Sequence, residues 1–369
     1  MARIGTILLS LGIVLTLATA CKKEVEIQVR EVPKTYSWAE TPHLTGLARV
    51  ILGMGKDERA LYLQSPSYLG VVAPGSLGQR YFLGYLSYLP ADVNVRLPIA
   101  PTFLAVPQLD TLVALIRPTE PISNYSGTTI RLRQLDPRAQ STSYPGSLLQ
   151  QTPFAAISAQ NYLLFGYRSL TATNMPVLRL VLARVTLDNN QHLQTQSRVL
   201  DFPGSPAFDA TSYVGTITAI DDYFLVDCGR NGGYKVRQDG TISRVYPEAQ
   251  VATFYKWQGL IYAHTYRNTL LLSADGGETW RTFTNAPSFL SQSDFRIIAD
   301  SLVGYVRTTH QLYTLRWSSP GTPRIRELKN DGMAQVTITG LEQLHDTVYA
   351  GTTGGLYRRP LKAFFEAAP

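Results

Sequence analysis

The chain has 369 residues, enough for two average domains or for one large domain built from repeats. Its 44% hydrophobic and 17% charged residues are typical of a globular protein and exclude a disordered one. The net charge is +7, a mild excess spread along the chain that indicates a solvated surface; we expect no nucleic-acid partner.

The first residues have the features of an export signal. An apolar run from Ile4 to Ala20 follows Arg3, and it is too short and wrongly flanked for a stable membrane span. The residues Leu17-Ala18-Thr19-Ala20-Cys21 resemble a bacterial lipobox, which implies lipidation of Cys21. Because no Asp follows Cys21, the resemblance implies an outer-membrane lipoprotein that faces the periplasm or the outside. We expect a signal peptide at 1–20, a lipidated polar tether at 21–35 and a folded domain at 36–369.

From about residue 44 one pattern recurs: an apolar strand, a short polar turn, a second apolar strand and then a third. The second strands are aligned as Ala60–Leu63, Leu112–Ile116, Leu163–Tyr167, Phe224–Cys228, Leu260–His264, Leu302–Val306 and Thr347–Gly351. They start at intervals of 36 to 61 residues, and units of this length with several short strands are typical of propeller blades. The pattern predicts an all-β propeller of seven four-stranded blades, or of six if the first copy is spurious.

The last repeat has no fourth strand of its own, since the chain ends soon after its third strand at 355–359. A missing outer strand would leave an exposed edge. The segment Tyr36–Thr41 carries Trp38 in the same context in which the fifth repeat carries Trp280. We therefore predict that this N-terminal segment closes the ring as the fourth strand of the last blade.

A polar, glycine-rich turn joins the last two strands of the fifth repeat. Within it Ser273, Asp275, Gly277, Thr279 and Trp280 match the pattern S-x-D-x-G-x-T-W. This match resembles the Asp-box, or BNR, repeat of sialidase-type β-propellers. A short Asp side chain can accept hydrogen bonds from backbone N–H groups of its own turn, and glycines permit a positive φ there. In that family the box stabilises the fold, so the resemblance implies an architecture rather than an activity.

Motifs for catalysis and for metal binding are missing from the sequence. The five histidines have no metal-ligand spacing, and there is no P-loop, no dinucleotide fingerprint and no Gly-x-Ser-x-Gly. Cys228 lies in a strand-like run and is expected to be a packed residue rather than a nucleophile. We predict no catalytic residues, no metal and no cofactor. The alternative is a sialidase-like glycoside hydrolase, implied by the Asp box and by the short match of Arg96-Leu97-Pro98 to the family's Arg-Ile-Pro.

An arginine stands just past the aligned second strand in five repeats. The five are Arg117, Arg168, Arg230, Arg267 and Arg307. In a propeller the turn between the second and third strands lies opposite the Asp-box turn, so this spacing predicts a ring of guanidinium groups at one mouth of the central channel. Guanidinium groups suit carboxylate, sulfate or phosphate, whereas the alternative is that arginine simply ends a strand in water.

These observations together predict a monomeric, non-catalytic binding or scaffolding lipoprotein, anchored to the outer membrane through its N-terminal lipid. Its partner would be a protein or an acidic glycan, bound at the channel mouth that carries the arginines. An assembly factor for an envelope complex is a third hypothesis. A pair of carboxylates meeting the arginines in that mouth would favour the enzyme, whereas an apolar or aromatic rim without such a pair would favour binding.

Overall fold

Seven antiparallel sheets form a ring, and the protein is a seven-bladed β-propeller. The computed structural model describes residues 36–41, 49–66, 68–73, 81–85, 97–108, 111–118, 128–142, 155–203, 214–247, 250–284, 286–306, 309–319, 322–333 and 336–368. The predicted signal peptide, the predicted lipidation site Cys21 and the predicted tether lie outside these ranges. Within them, no helix has the length and apolar character that a membrane span requires.

The described strands are, in chain order, β1 (Ala39–Glu40), β2 (Gly53–Lys56), β3 (Leu61–Ser65), β4 (Tyr68–Val72), β5 (Tyr81–Tyr85), β6 (Leu104–Gln108), β7 (Leu112–Ile116), β8 (Thr128–Arg131), β9 (Ser141–Thr142), β10 (Ala155–Ile157), β11 (Tyr162–Leu170), β12 (Pro176–Leu187), β13 (Leu193–Asp201), β14 (Thr216–Ile220), β15 (Tyr223–Asp227), β16 (Gly233–Arg237), β17 (Ile242–Tyr246), β18 (Val251–Trp257), β19 (Leu260–Thr265), β20 (Leu270–Ser273), β21 (Arg281–Phe283), β22 (Ser293–Ile298), β23 (Ser301–Val306), β24 (Leu312–Ser319), β25 (Thr322–Glu327), β26 (Ile338–Leu344), β27 (Thr347–Thr352) and β28 (Gly355–Pro360). Short helices cover Leu132–Leu135, Gly229–Asn231, Ser288–Gln292 and Leu361–Phe364.

The blades follow the chain. Blade 1 is β2 to β5, blade 2 is β6 to β8, blade 3 is β9 to β13, and blades 4, 5 and 6 are β14 to β17, β18 to β21 and β22 to β25. Blade 7 combines β26, β27 and β28 with β1. The innermost segment of each blade, which in blade 2 is the segment 97–99 rather than β6, lines the central channel, and the strands that follow it lie progressively further out.

Tight turns join the first and second strands of several blades. In blade 5 the two turn residues Gln258 and Gly259 both have positive φ, at 49° and 80°. In blade 6 Ala299 and Asp300 do the same, at 42° and 60°. Two consecutive positive φ values are the hallmark of a turn whose twist matches that of the flanking strands. The geometry of these turns therefore fixes the register of the two strands that each turn joins.

The ring is closed by the N-terminal strand, as predicted. Strand β1 pairs antiparallel with β28, with Ala39 opposite Arg358 and Glu40 opposite Tyr357. Trp38 is 3% exposed, and its ring lies 6.0 Å from that of Phe364 in an edge-to-face contact. The closing strand thus covers the edge of blade 7 and anchors it with a buried aromatic side chain.

Six of the seven aligned repeats are second strands, but the alignment was wrong in blade 2. There Leu112–Ile116 is β7, the third strand from the channel, because the segment 97–99 lies innermost. That segment lines the channel and pairs with β6 through a single bridge, Ile99 to Leu104. The described residues of this segment show no periodic pattern in the sequence, so Leu112–Ile116 was aligned one strand too close to the channel.

The apolar core lies between blades rather than in the channel. The apolar clusters join neighbouring sheets: one contains Leu69 of blade 1, Leu115 of blade 2 and Phe165 of blade 3, and the next contains Leu164 of blade 3 with Phe224 of blade 4. Odd and even positions of β11 therefore face different neighbours, as the two-residue period of a strand requires. The apolar clusters therefore hold neighbouring blades together.

Candidate functional site: two faces and a central channel

The central channel is lined by the innermost segments of all seven blades and encloses about 370 Å³. Asp294 is the single carboxylate among its described lining residues, where it is accompanied by Arg296 and by threonines such as Thr216, Thr253 and Thr339. The Arg296 Nε lies 3.4 Å from Glu342 Oε1, which neutralises its charge. The described residues include no group of three or more His, Cys, Asp or Glu that could hold a metal ion.

The strand order divides the turns between two faces of the ring. Turns between first and second strands, and between third and fourth strands, lie on one face, which we call the Asp275 face. Turns between second and third strands lie on the other, which we call the Arg230 face. The side on which a turn residue lies thus depends on how many strands separate it from the channel.

Three of the predicted arginines belong to the Arg230 face. Arg230 is in the helical turn Gly229–Asn231 between β15 and β16, and Arg267 is in the turn between β19 and β20. Arg168 lies near the end of β11, which runs toward the same face before it turns into β12. Blades 3, 4 and 5 therefore each contribute one exposed arginine to this face.

The other two predicted arginines do not extend this set. Arg117 follows the third strand of blade 2, not the second, and therefore lies on the Asp275 face. Its Nη1 donates to the carbonyl oxygen of Gln191, in the turn between β12 and β13, at 3.0 Å. The prediction for Arg117 was wrong because the short innermost segment of blade 2 shifted the strand count. Arg307 lies outside the described residues.

Arg168, Arg230 and Arg267 make no ion pair and no side-chain hydrogen bond within the described part of the chain. Two cations on the Asp275 face, in contrast, meet carboxylates: Arg237 Nη2 lies 2.6 Å from Glu278 Oε1, and Lys256 pairs with Asp221. Guanidinium groups without a counter-charge leave their fork of donors available to a ligand. Arg168, Arg230 and Arg267 thus have no counter-charge among the described residues, whereas Arg237 and Lys256 do.

Two exposed apolar side chains accompany these arginines on the Arg230 face. Tyr266 adjoins Arg267 and is 45% exposed, and Met175, in the turn between β11 and β12, is 52% exposed. Arginine, tyrosine and methionine are enriched where proteins bind one another. Their combination in blades 3 to 5 gives this face the composition of an interface.

A buried carboxyl group supports the turn that carries Arg230. Asp227 is 1% exposed, its Oδ2 accepts from the Gly229 N–H at 3.0 Å, and its Oδ1 accepts from the Tyr246 hydroxyl at 3.1 Å. Burial raises the pKa of Asp227 to about 7, although these hydrogen bonds and one from the Val251 N–H oppose the shift. Asp227 therefore joins the Arg230 turn to the first strand of blade 5. Sequence inspection missed it, because only its tertiary partners distinguish it from other turn-forming aspartates.

The Asp275 turn is held by a dense set of hydrogen bonds. Asp275 Oδ1 accepts from the Ser273 hydroxyl at 2.8 Å and from the Thr279 N–H at 2.9 Å, and Oδ2 accepts from the Thr279 hydroxyl at 2.6 Å. These hydrogen bonds, of which those from Thr279 have the largest effect, hold the pKa of Asp275 well below its usual range. Gly277 has a φ of 89°, its N–H donates to Ser273 Oγ, and its carbonyl oxygen accepts from Trp280 Nε1 at 3.1 Å.

This turn also fastens blade 5 to blade 4. The Lys235 ammonium, on β16, donates to the Gly276 carbonyl oxygen at 2.8 Å and to Glu278 Oε1 at 2.7 Å, and it lies 4.1 Å from the centre of the Tyr223 ring. Trp280 is partly buried and packs edge-to-face against Tyr246 of blade 4, with ring centres 5.8 Å apart. The turn thus clamps blade 5 to blade 4.

Cys228 lies next to Asp227 and is 1% exposed. Burial raises the pKa of its thiol well above the usual value, and the nearby Asp227 adds to the effect. A thiol in this environment stays protonated and is a poor nucleophile.

Comparisons with known proteins identify a fold but no family. No family model matches the chain, and no curated protein matches it. Among solved structures, a catalytically inactive virginiamycin B lyase from Staphylococcus aureus with quinupristin has a TM-score of 0.56 and 10% identity, covering 88% of this chain and 98% of that one. YCF48 bound to D1 peptide has a TM-score of 0.50 and 9% identity, covering 88% and 96%. The chain is similar to these proteins as a β-propeller, and at such identities the likeness extends to the fold alone.

Proposed function

We propose that this protein is a non-catalytic binding or scaffolding propeller that recognises an acidic partner through its Arg230 face. The observation that carries the proposal is the set of three exposed guanidinium groups, Arg168, Arg230 and Arg267, without counter-charge among the described residues. A face that required only solubility could use charges of both signs. Three like charges on consecutive blades favour a ligand that supplies the missing carboxylates or sulfates.

The partner is a protein segment or a glycan that carries such groups. The exposed Tyr266 and Met175 favour the protein, because they offer apolar contact beside the charges. The enzyme alternative is not favoured, since hydrolysis of glycosides usually needs two facing carboxyl groups and Asp294 is the single carboxylate in the described channel lining. Lipidation at Cys21 and location at the outer membrane belong to the same proposal and rest on the lipobox-like sequence.

The test is a triple variant, Arg168→Ser, Arg230→Ser and Arg267→Ser. Polyglutamate peptide and an array of acidic glycans serve as probes, at low and at physiological salt. Since each exposed arginine contributes about 1 kcal/mol or less, we expect a collective loss of roughly 10- to 100-fold in affinity. The wild-type affinity should fall as salt rises, and the melting temperature should be unchanged by the substitutions.

A matched control removes the same number of charges from the third and fourth strands of blades 5 and 6. Arg281, Arg316 and Arg324 are exposed and unpaired among the described residues, and their replacement by Ser should leave binding unchanged. Equal loss in both triple variants would mean that net charge alone attracts the probes. Unchanged binding by the first variant would refute the assignment to the Arg230 face.

A further inference from the structure

A second cavity opens between blades 3 and 4, away from the channel, and its volume is about 420 Å³. Three side chains that line it lie in one row across blade 3: Tyr162 pairs with Arg184, and Arg184 pairs with Gln196. Arg198 lies two residues beyond Gln196 on β13, so its side chain is on the same side of the sheet. The strand period thus brings two arginines, a phenol and a carboxamide to one wall.

Blade 4 supplies the opposite wall through the turn between β16 and β17. Arg198 Nη2 donates to the Gln238 carbonyl oxygen at 2.7 Å, and the Gln238 side chain donates to Gln160 Oε1 at 3.0 Å. Gly240 permits this approach, because its φ is 86° and a Cβ there would stand 2.6 Å from the Arg198 guanidinium carbon. One guanidinium is therefore held in a fixed orientation by the neighbouring blade.

The cavity has more hydrogen-bond donors than partners. Within the described chain, the Arg184 guanidinium has neither an ion pair nor a hydrogen bond, and the Tyr162 hydroxyl makes no hydrogen bond. No carboxylate is among the described residues that line the cavity. The nearby Asp239 does not line the cavity: its Oδ1 accepts from the Thr241 N–H of its own loop at 2.8 Å, although its charge attracts Arg198.

We propose that this cavity binds a phosphate or sulfate group. Two guanidinium groups placed diagonally on adjacent strands repel one another when the space between them is empty, and an oxyanion would relieve that repulsion. The Tyr162 hydroxyl and the Gln196 carboxamide add neutral donors at the same wall. A volume of about 420 Å³ falls in the range of roughly 300–1,000 Å³ of small-molecule sites, so the group can be carried by a sugar-sized ester.

The test is isothermal titration calorimetry of the full chain with three probes: inorganic phosphate, inorganic sulfate and a monosaccharide phosphate. We expect saturable binding by the wild type, at least about tenfold weaker binding by Arg184→Gln, and about two- to tenfold weaker binding by Tyr162→Phe. Tighter binding of the monosaccharide phosphate than of inorganic phosphate would identify an ester as the ligand, and equal binding would identify the free ion. Arg184 has no described partner to lose, so its variant should fold normally, which a thermal melt checks.

Arg281→Gln is the matched control, since Arg281 is exposed on the outer strand of blade 5, and it should bind as the wild type does. The triple serine variant of the Arg230 face should also retain phosphate affinity, which separates this site from the proposed function. The proposal is overturned if the wild type binds none of the three probes, or if Arg184→Gln binds them equally well. If the triple serine variant loses phosphate binding while Arg184→Gln keeps it, the anion binds on the Arg230 face instead.

Discussion

Replacement of Asp227 by Asn tests the electrostatic reasoning most directly. The Asp227 carboxyl group is buried between blades 4 and 5, and its two oxygens accept from the Gly229 N–H and the Tyr246 hydroxyl. Asparagine has the same shape and no charge. Its carbonyl oxygen can accept from Gly229, and its NH₂ group can donate to the Tyr246 oxygen. The substitution therefore imitates the protonated acid while it removes the titration.

The sign and size of the effect follow from the raised pKa. Asp227 has a pKa of about 7 in the folded protein, against an ordinary value of 3.8. Between these values the folded state holds a proton that the unfolded state has released, so the group stabilises the fold at low pH and loses that contribution as pH rises toward 7. From pH 5 to pH 8 the loss is roughly 2–3 kcal/mol, at about 1.4 kcal/mol per pH unit.

The assay is urea unfolding of the wild type and of Asp227→Asn across pH 5 to 8. The difference between the two proteins must be used, because His264 titrates in the opposite sense. Burial lowers the pKa of His264 to about 3, against an ordinary pKa of 6.5. Between these two values the unfolded state holds a proton that the folded state lacks, so the free energy of unfolding rises with pH. That contribution is common to both proteins and cancels.

We expect the stability of Asp227→Asn relative to the wild type to improve by roughly 2–3 kcal/mol between pH 5 and pH 8. Asp222→Asn, at an exposed position in the turn before β15, is the control and should show no such trend. A difference that does not vary with pH would refute the conclusion that Asp227 is protonated in the folded protein near neutral pH.

Three further predictions concern the ring and its anchor. Trp280→Ala should lower the free energy of unfolding by about 2–3 kcal/mol, less than for a fully buried tryptophan, and an unchanged urea midpoint would show that the Asp275 turn does not clamp the blades. Deletion of residues 36–41 should expose the edge of β28 and promote aggregation measurable by light scattering, whereas an equally soluble and stable deletion variant would contradict closure by β1. Mass spectrometry of the exported protein should find an N-terminal diacylglyceryl-modified Cys21; an unmodified Cys21 or a different N-terminus would exclude the lipoprotein hypothesis.

Much of the architecture could be predicted because propeller strands are short, apolar and locally registered. The aligned segments Leu260–His264 and Thr347–Gly351 do lie in second strands. They could be found because apolar runs and tight turns are signals contained in a few neighbouring residues. Ring closure was also predictable, because Trp38 and Trp280 both stand one residue before an outer strand. Blade 2 was misaligned, because the innermost segment 97–99 is recognised only by its contacts with neighbouring blades.

The amino-acid sequence by itself determined that this chain is an all-β repeat protein, that an N-terminal strand completes its last blade, and where its exposed arginines occur along the chain. Only the tertiary structure decided which of those arginines share a face. Arg117 and Arg230 follow similar apolar runs, yet they lie on opposite faces because their strands differ in their distance from the channel. The tertiary structure also decided which charges are neutralised: Arg237 meets Glu278 from the next blade, whereas Arg184 faces a cavity without a carboxylate among its described lining residues. Such partners are distant in the sequence, so no local pattern contains them.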